Sequence, residues 1–266
     1  MNFYEKSSGF KEIRKLKTSG DKNTNHSGTP LHYPVLMAHN KTAMNDLIIA
    51  NTNQRVQILN LQNRELTELK DEEKHTKSVT AIHCPTRFAG SDENLMHVFM
   101  TAAEDGAVKI WDRRTNTTVA SVNSVAGGFG KRPIYSITTN DNMICAGTKE
   151  DILWWDINKL DKPIGNFTEC HSDNVTGLSF NSTGKYLISC SVDNVMSMFD
   201  LNQHDGAKRL DEEKIIEGAY SSSQPMLDCG FITDEIIWAQ TSINTVEFIR
   251  QTDAICFMQV DKVSSH

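Results

Sequence analysis

Three apolar runs, each ending in an aromatic residue followed by aspartate, recur along this chain of 266 residues. Ile110-Trp111-Asp112, Trp154-Trp155-Asp156 and Met198-Phe199-Asp200 set their aromatic positions 44 residues apart each time. A fixed period of this size means one supersecondary unit repeated, because so short a unit cannot bury its apolar face alone and must stack on its neighbours. The unit reads as strands: residues 79–84, 96–102, 107–112 and 117–122 are short β-branched or aromatic runs separated by polar turns, with no helical periodicity. A second such unit uses 133–139, 143–147, 152–157 and 164–168. Another uses 175–180, 186–191 and 195–200, with a weaker outer strand expected before Gly218 and the charged stretch Asp211-Glu212-Glu213-Lys214 as a loop.

Two degenerate units flank these. One surrounds 47–50 and 56–59, the other 226–231, 235–239 and 246–249, and both keep the alternation while lacking the Trp-Asp pair. The expectation is therefore an all-β chain of about five units over residues 33–262, preceded by a flexible tail at 1–32. That tail mixes Lys, Asn, Ser and Gly and has no apolar core of a secretory signal.

Within the unit whose third strand ends at Trp111-Asp112, His75 stands four before Val79, Thr101 four before Asp105, and Trp111 six after Asp105. An indole only donates, a hydroxyl donates and accepts, and an imidazole can bridge to a carboxylate, so these four groups can satisfy one another in a core. The pattern resembles the WD40-repeat family. That resemblance implies a β-propeller in which His75, Thr101, Asp105 and Trp111 form a hydrogen-bonded structural tetrad. The unit around Phe199 has a partial one: His171, Ser189 and Asp193 keep the offsets, but Phe199 stands where Trp is expected. The unit between them has Trp155 without an aspartate six residues earlier. The rival reading, a catalytic triad of His75, Asp105 and Thr101, requires a hydroxyl facing a cleft. Thr101 instead lies inside a strand between core-like Met100 and Ala102. Residues 143–149, 154–156, 171–176 and 198–200 also resemble one subgroup of the family that has more repeats than are visible here, which implies a propeller that stops short at its C-terminus and exposes strand edges.

Residues 99–114 resemble the box found in WD40 substrate receptors of cullin-4 ubiquitin ligases, which ends in Trp-Asp, any residue, then Arg. Arg114 occupies the arginine position after Asp112, whereas Arg113 departs from the apolar residue usual there. A guanidinium at the exit of a strand can grip a partner's carboxylate with both arms. Gly127-Gly128-Phe129-Gly130-Lys131 lacks the spacing of a phosphate-binding loop and reads as a connection, with Lys131 and Arg132 offered to an acidic partner.

A net charge of −7, from 27 basic and 34 acidic residues, argues against a nucleic acid as the main ligand. No run approaches a membrane span, and the six dispersed cysteines resemble neither a zinc site nor a disulfide framework. The expectation is an intracellular scaffold, in cytoplasm or nucleus, for protein or peptide partners, with no cofactor and no catalysis. The alternative is an enzyme working in the propeller channel, and it meets small or apolar residues there, Val79-Thr80-Ala81-Ile82 and Val175-Thr176-Gly177-Leu178.

Overall fold

The computed structural model describes residues 2–6, 10–15, 34–39, 46–70, 74–85, 97–125, 130–140, 143–203 and 210–261. Near the N-terminus β1 (Asn2–Lys6) and β2 (Phe10–Lys15) pair antiparallel. Thereafter the described residues form a series of five four-stranded antiparallel sheets, each in simple up-and-down order. Blade 1 is β3 (Pro34–His39), β4 (Asp46–Asn51), β5 (Val56–Asn60) and β6 (Leu66–Glu68). Blade 2 is β7 (Val79–His83), β8 (Val98–Ala103), β9 (Ala107–Asp112) and β10 (Thr117–Asn123). Blade 3 is β11 (Ser136–Asn140), β12 (Met143–Gly147), β13 (Ile152–Asp156) and β14 (Gly165–Phe167). Blade 4 is β15 (Val175–Phe180), β16 (Tyr186–Ser191), β17 (Val195–Asp200) and β18 (Ile216–Ser221). Blade 5 is β19 (Met226–Phe231), β20 (Ile236–Thr241), β21 (Val246–Arg250) and β22 (Ile255–Val260).

The first strands touch in chain order, β3 to β7, β7 to β11, β11 to β15 and β15 to β19, so they line the axis of a propeller. Hydroxyls fasten three of these contacts. Thr80 donates to the Ile134 carbonyl at 2.5 Å, Ser136 to that of Val175 at 2.7 Å and Thr176 to that of Met226 at 2.8 Å. The turn between second and third strands repeats too. Each places one residue at positive φ: Gln54, Gly106, Glu150, Asn194 and Asn244. At Gly106 no side chain could be added, because a Cβ would lie 2.7 Å from both the Arg132 carbonyl oxygen and Ser124 Oγ.

The core lies in layers between blades. Consecutive strand residues point to opposite faces of a sheet, which explains the doubled tryptophan of β13. Trp155 packs toward blade 2 with Val108, Ile110 and Ile134, while Trp154 packs toward blade 4 with Phe167, Leu187 and Phe199. Trp154 and Phe167 have ring centroids 5.3 Å apart, and Phe167 and Phe199 5.5 Å. The cysteines serve these layers as small apolar groups: Cys145, Cys170, Cys190 and Cys229 are free and buried.

Two local expectations need correction. The outer strand of blade 4 spans Gly218 rather than preceding it. The stretch expected as a loop forms a helical turn, α1 (Glu212–Ile215). The Glu212 carboxylate accepts the Thr168 and Glu169 amides at 2.9 and 3.1 Å, and Ile215 drops into the layer between blades 3 and 4. Tertiary contacts, not local propensity, make that turn.

Candidate functional site

His75, Thr101, Asp105 and Trp111 converge in blade 2. Trp111 Nε1 donates to Thr101 Oγ1 at 2.8 Å, and the same oxygen lies 2.8 Å from His75 Nε2. His75 Nδ1 lies 3.1 Å from the Asp105 carboxylate. The carboxylate can only accept, so Nδ1 carries the proton, Nε2 accepts from the Thr101 hydroxyl, and the chain runs from indole to carboxylate with every group paired. Asp105 also accepts the amides of Thr76 at 2.9 Å and Ala107 at 3.0 Å, closing the turn on both sides. Partial burial would raise its carboxyl, but the hydrogen bonds from His75, Thr76 and Ala107 carry it well below the usual range. His75 and Thr101 are fully enclosed.

Blade 4 repeats the lower part. The Ser189 hydroxyl donates to His171 Nε2 at 2.7 Å, His171 Nδ1 lies 3.2 Å from Asp193, and Asp193 accepts the Ser172 and Val195 amides, each at 2.8 Å. Burial lowers the His171 pKa against the pull of Asp193. Phe199, buried completely, gives its ring to the aromatic layer and offers Ser189 no donor.

The aspartate of the Trp-Asp pair has a local task. Asp112 Oδ1 accepts the Arg114 amide, Asp156 Oδ1 the Asn158 amide and Asp200 Oδ1 the Asn202 amide, at 2.8, 2.8 and 2.9 Å. Each nucleates the turn into the fourth strand as a side-chain mimic of a backbone turn. Blade 5 has Arg250 at this strand end and uses Asp253 instead, which accepts the Ile255 amide.

The basic candidates do not form one patch. Arg113 and Arg114 follow β9, whereas Lys131 and Arg132 lie against the β8–β9 turn, where Ser124 Oγ accepts the Arg132 amide at 2.8 Å. The length of β9, about 20 Å at ~3.4 Å per residue, separates them. Arg113 reaches back to blade 1, its Nε 2.7 Å from the buried carboxylate of Asp46. Arg132 pairs with Asp151 of blade 3. Lys131 is exposed. Arg114 forks onto Asp112, with Nη2 2.7 Å from Oδ2 and Nε 3.1 Å from Oδ1, and its side chain stays 52 % exposed. The hydrogen bond from Arg114 holds the Asp112 carboxyl below its ordinary value. Sequence reasoning missed the Arg113–Asp46 and Arg132–Asp151 pairs, since spacing carries no signal for partners on different blades.

Among the described residues no group of three or more His, Cys, Asp or Glu side chains is placed to hold a metal ion, and no helix is long and apolar enough to cross a membrane. Most of the glycine-rich stretch, 126–129, lies outside the described residues.

Comparison with known proteins agrees with this architecture. The model of the WD domain, G-beta repeat, matches residues 66–112 and 161–200. The chain is 25 % identical over 173 residues to the WD repeat-containing protein GTS1 of Arabidopsis thaliana, covering 62 % of this chain and 41 % of that protein. It is 28 % identical over 182 residues to an uncharacterized WD repeat-containing protein of Saccharomyces cerevisiae, covering 66 % of this chain and 43 % of that one. Over 110 residues it is 29 % identical to the WD repeat-containing protein 89 homolog of Dictyostelium discoideum, covering 41 % of this chain and 29 % of that protein. The chain thus spans less than half the length of these relatives.

Proposed function

Since the chain is a member of the WD40-repeat family, we propose that it is a non-catalytic scaffold whose loops bind a protein or peptide partner. One observation carries this reading: the groups that could do chemistry are turned inward. Thr101 and Ser189 are completely buried, and their imidazole partners bind the carboxylates that close the turns. What the blades leave to solvent is connecting loop and outer strand, and a propeller as such does not specify its partner. Affinity purification of the tagged chain from cells, with partners identified by mass spectrometry, tests it. Reproducible partners lost when exposed loop residues are changed support the scaffold, and turnover by the purified chain contradicts it.

The sharper form of the proposal is a substrate receptor of a cullin-4 ubiquitin ligase, with Arg114 as the contact. Asp112 holds the Arg114 guanidinium in a fixed orientation at the surface, which lowers the entropy lost when a partner's carboxylate displaces or joins it. Arg114→Glu should abolish capture of the cullin-4 adaptor. Undiminished capture would count decisively against this contact.

A further inference from the structure

The outer strands of blades 1 to 4 end their sheets in different ways. β6 is three residues long, and its Glu68 pairs with Arg55 at 2.7 Å. β14 is as short, and the chain folds back over it: the Leu210 amide donates to the Ile164 carbonyl at 3.0 Å, and the Glu212 carboxylate takes the Thr168 and Glu169 amides. β18 carries Glu217. Brevity, cover and charge each keep an edge from pairing with another chain. β10 has none of these. Its seven residues, Thr117–Asn123, hold no charge and no proline, and among the described residues nothing pairs with its outer side. Blades 1 and 3 flank it, so this edge lies within the run of blades and not at its last member.

The ladder with β9 decides which main-chain groups that edge offers. Ser124 donates its amide to the Gly106 carbonyl at 2.8 Å, and in register with that pair Val122 faces Val108 and Ala120 faces Ile110. Hydrogen-bonded pairs alternate with open ones in an antiparallel ladder. Ala120, Val122 and Ser124 therefore spend their amides on β9, while Ser121 and Asn123 turn N–H and C=O outward. The side chains alternate as well. Val119, Ser121, Asn123 and Val125 are exposed, the two valines at 58 and 48 %. Val119 is the bulge residue, without a counterpart on β9. On blades 2 to 4, among the described residues, Ile216 is the only other exposed large apolar side chain.

We propose that β10 pairs antiparallel with β10 of a second copy of the chain, joining two blades into one continuous sheet. The exposed residues themselves select this occupant. On either side of Val122 they read apolar, polar, polar, apolar: Val119, Ser121, Asn123, Val125. A twofold axis at Val122, normal to the sheet, therefore sets Ser121 across from Asn123 of the second copy and Val119 across from its Val125. Both Ser121–Asn123 pairs then exchange their outward amides and carbonyls, hydroxyl lies beside carboxamide, and valine covers valine. A patch that meets its own copy must not set like charges opposite each other, and this strand has none to oppose. An edge contact of this length falls below the roughly 1,200 Å² of a stable interface, so the pairing is weak and follows the concentration. It goes beyond the scaffold reading and does not depend on it.

Sedimentation equilibrium of the full chain over a wide concentration range tests the proposal. The average mass should climb from 29.9 kDa toward twice that value. Ser121→Pro deletes an outward amide and no bond to β9, a place where an edge strand tolerates proline. It should hold the mass at 29.9 kDa and leave the melting temperature unchanged. Val119→Lys and Val125→Glu should each weaken association roughly tenfold. An equimolar mixture of those two chains should recover part of the loss, because the mixed dimer sets lysine against glutamate on one side of the axis and keeps valine against valine on the other. Should Ser121→Pro lower the melting temperature, the two valine variants, both at exposed positions, decide by themselves. A chain that stays monomeric at its solubility limit overturns the proposal, as does a dimer that a folded Ser121→Pro leaves intact, or a mixture that associates no better than its components.

Discussion

Blades 2 and 4 have the same histidine, hydroxyl and aspartate at the same offsets, yet blade 2 ends the chain of hydrogen bonds on an indole and blade 4 on a phenyl ring. The distances below that point barely change: 2.8 against 2.7 Å from imidazole to hydroxyl, and 3.1 against 3.2 Å from imidazole to carboxylate. The indole is therefore an accessory, and the histidine-to-aspartate end is the part that organises backbone. In both blades the carboxylate gathers two main-chain amides and one imidazole, which fixes the tight turn and ties it to the loop arriving from the preceding blade.

The largest expected effect tests that shared end. Asp105→Ala and Asp193→Ala each strip three donors of their acceptor inside a partly enclosed turn, and each should cost about 3 kcal/mol in urea titrations. The comparison breaks if one substitution is costly and the other is not. Next comes a feature that only blade 2 has. Arg113→Ala leaves the Asp46 carboxylate, 1 % exposed, without its cation, and should cost about 2 kcal/mol. Most of that cost should be regained when Asp46→Ala is added, because the orphaned charge goes too. Trp111→Phe then turns blade 2 into a copy of blade 4. Thr101 keeps its bond to His75 and loses one donor, so the expected cost is about 1.5 kcal/mol, well short of the 3–5 kcal/mol of an aromatic deleted outright. A cost as large as that of Asp105→Ala would show that the indole does more than end the chain.

Acid separates the histidines from the carboxylates. Burial lowers His171 and takes His83, set against Thr139 between blades 2 and 3, down to about 4. The unfolded chain takes these protons near pH 6.5 while the folded chain does not, so the unfolded state binds more protons in that window and stability falls as pH drops from about 6.5 toward 4. Asp105 acts lower: its folded carboxyl is depressed, so its contribution persists above its ordinary value of 3.8 and is lost only as pH falls past it. Thermal melts across this range should show the decline in two stages, and His83→Phe should flatten the upper one.

The histidine, hydroxyl and aspartate of blades 2 and 4 can be picked out in the sequence because they sit at fixed short offsets around one turn, and the 44-residue period exposed the register of three blades. Blades 1 and 5 were legible only as alternation. Their equivalents of the Trp-Asp pair are Leu59-Asn60 and Ile249-Arg250, which carry no signature even though the strands pair in the same register. Outer strands were the least legible, as with β6, whose three residues are Leu66, Thr67 and Glu68. A strand with one neighbour and one wet face needs little periodicity. The ion pairs of Arg113 and Arg132 were invisible for a different reason: which side chains meet across two sheets depends on how the sheets stack.

The smallest expected effect on stability is the most informative about function. Blades 2 and 4 close the turn after the third strand in the same way, through an aspartate that accepts the amide two residues on, but blade 4 adds the neutral amide of Asn202, 2.6 Å from Asp200, where blade 2 adds the Arg114 guanidinium. If the turn needed only a donor at that place, Arg114→Asn should give blade 2 the turn of blade 4 and leave the melting temperature unchanged. A guanidinium held open to solvent is more than such a turn requires. Pull-downs with Arg114→Asn therefore separate the two roles. Unchanged stability with lost adaptor capture would make Arg114 a recognition residue, and unchanged stability with unchanged capture would reduce it to a solvated turn.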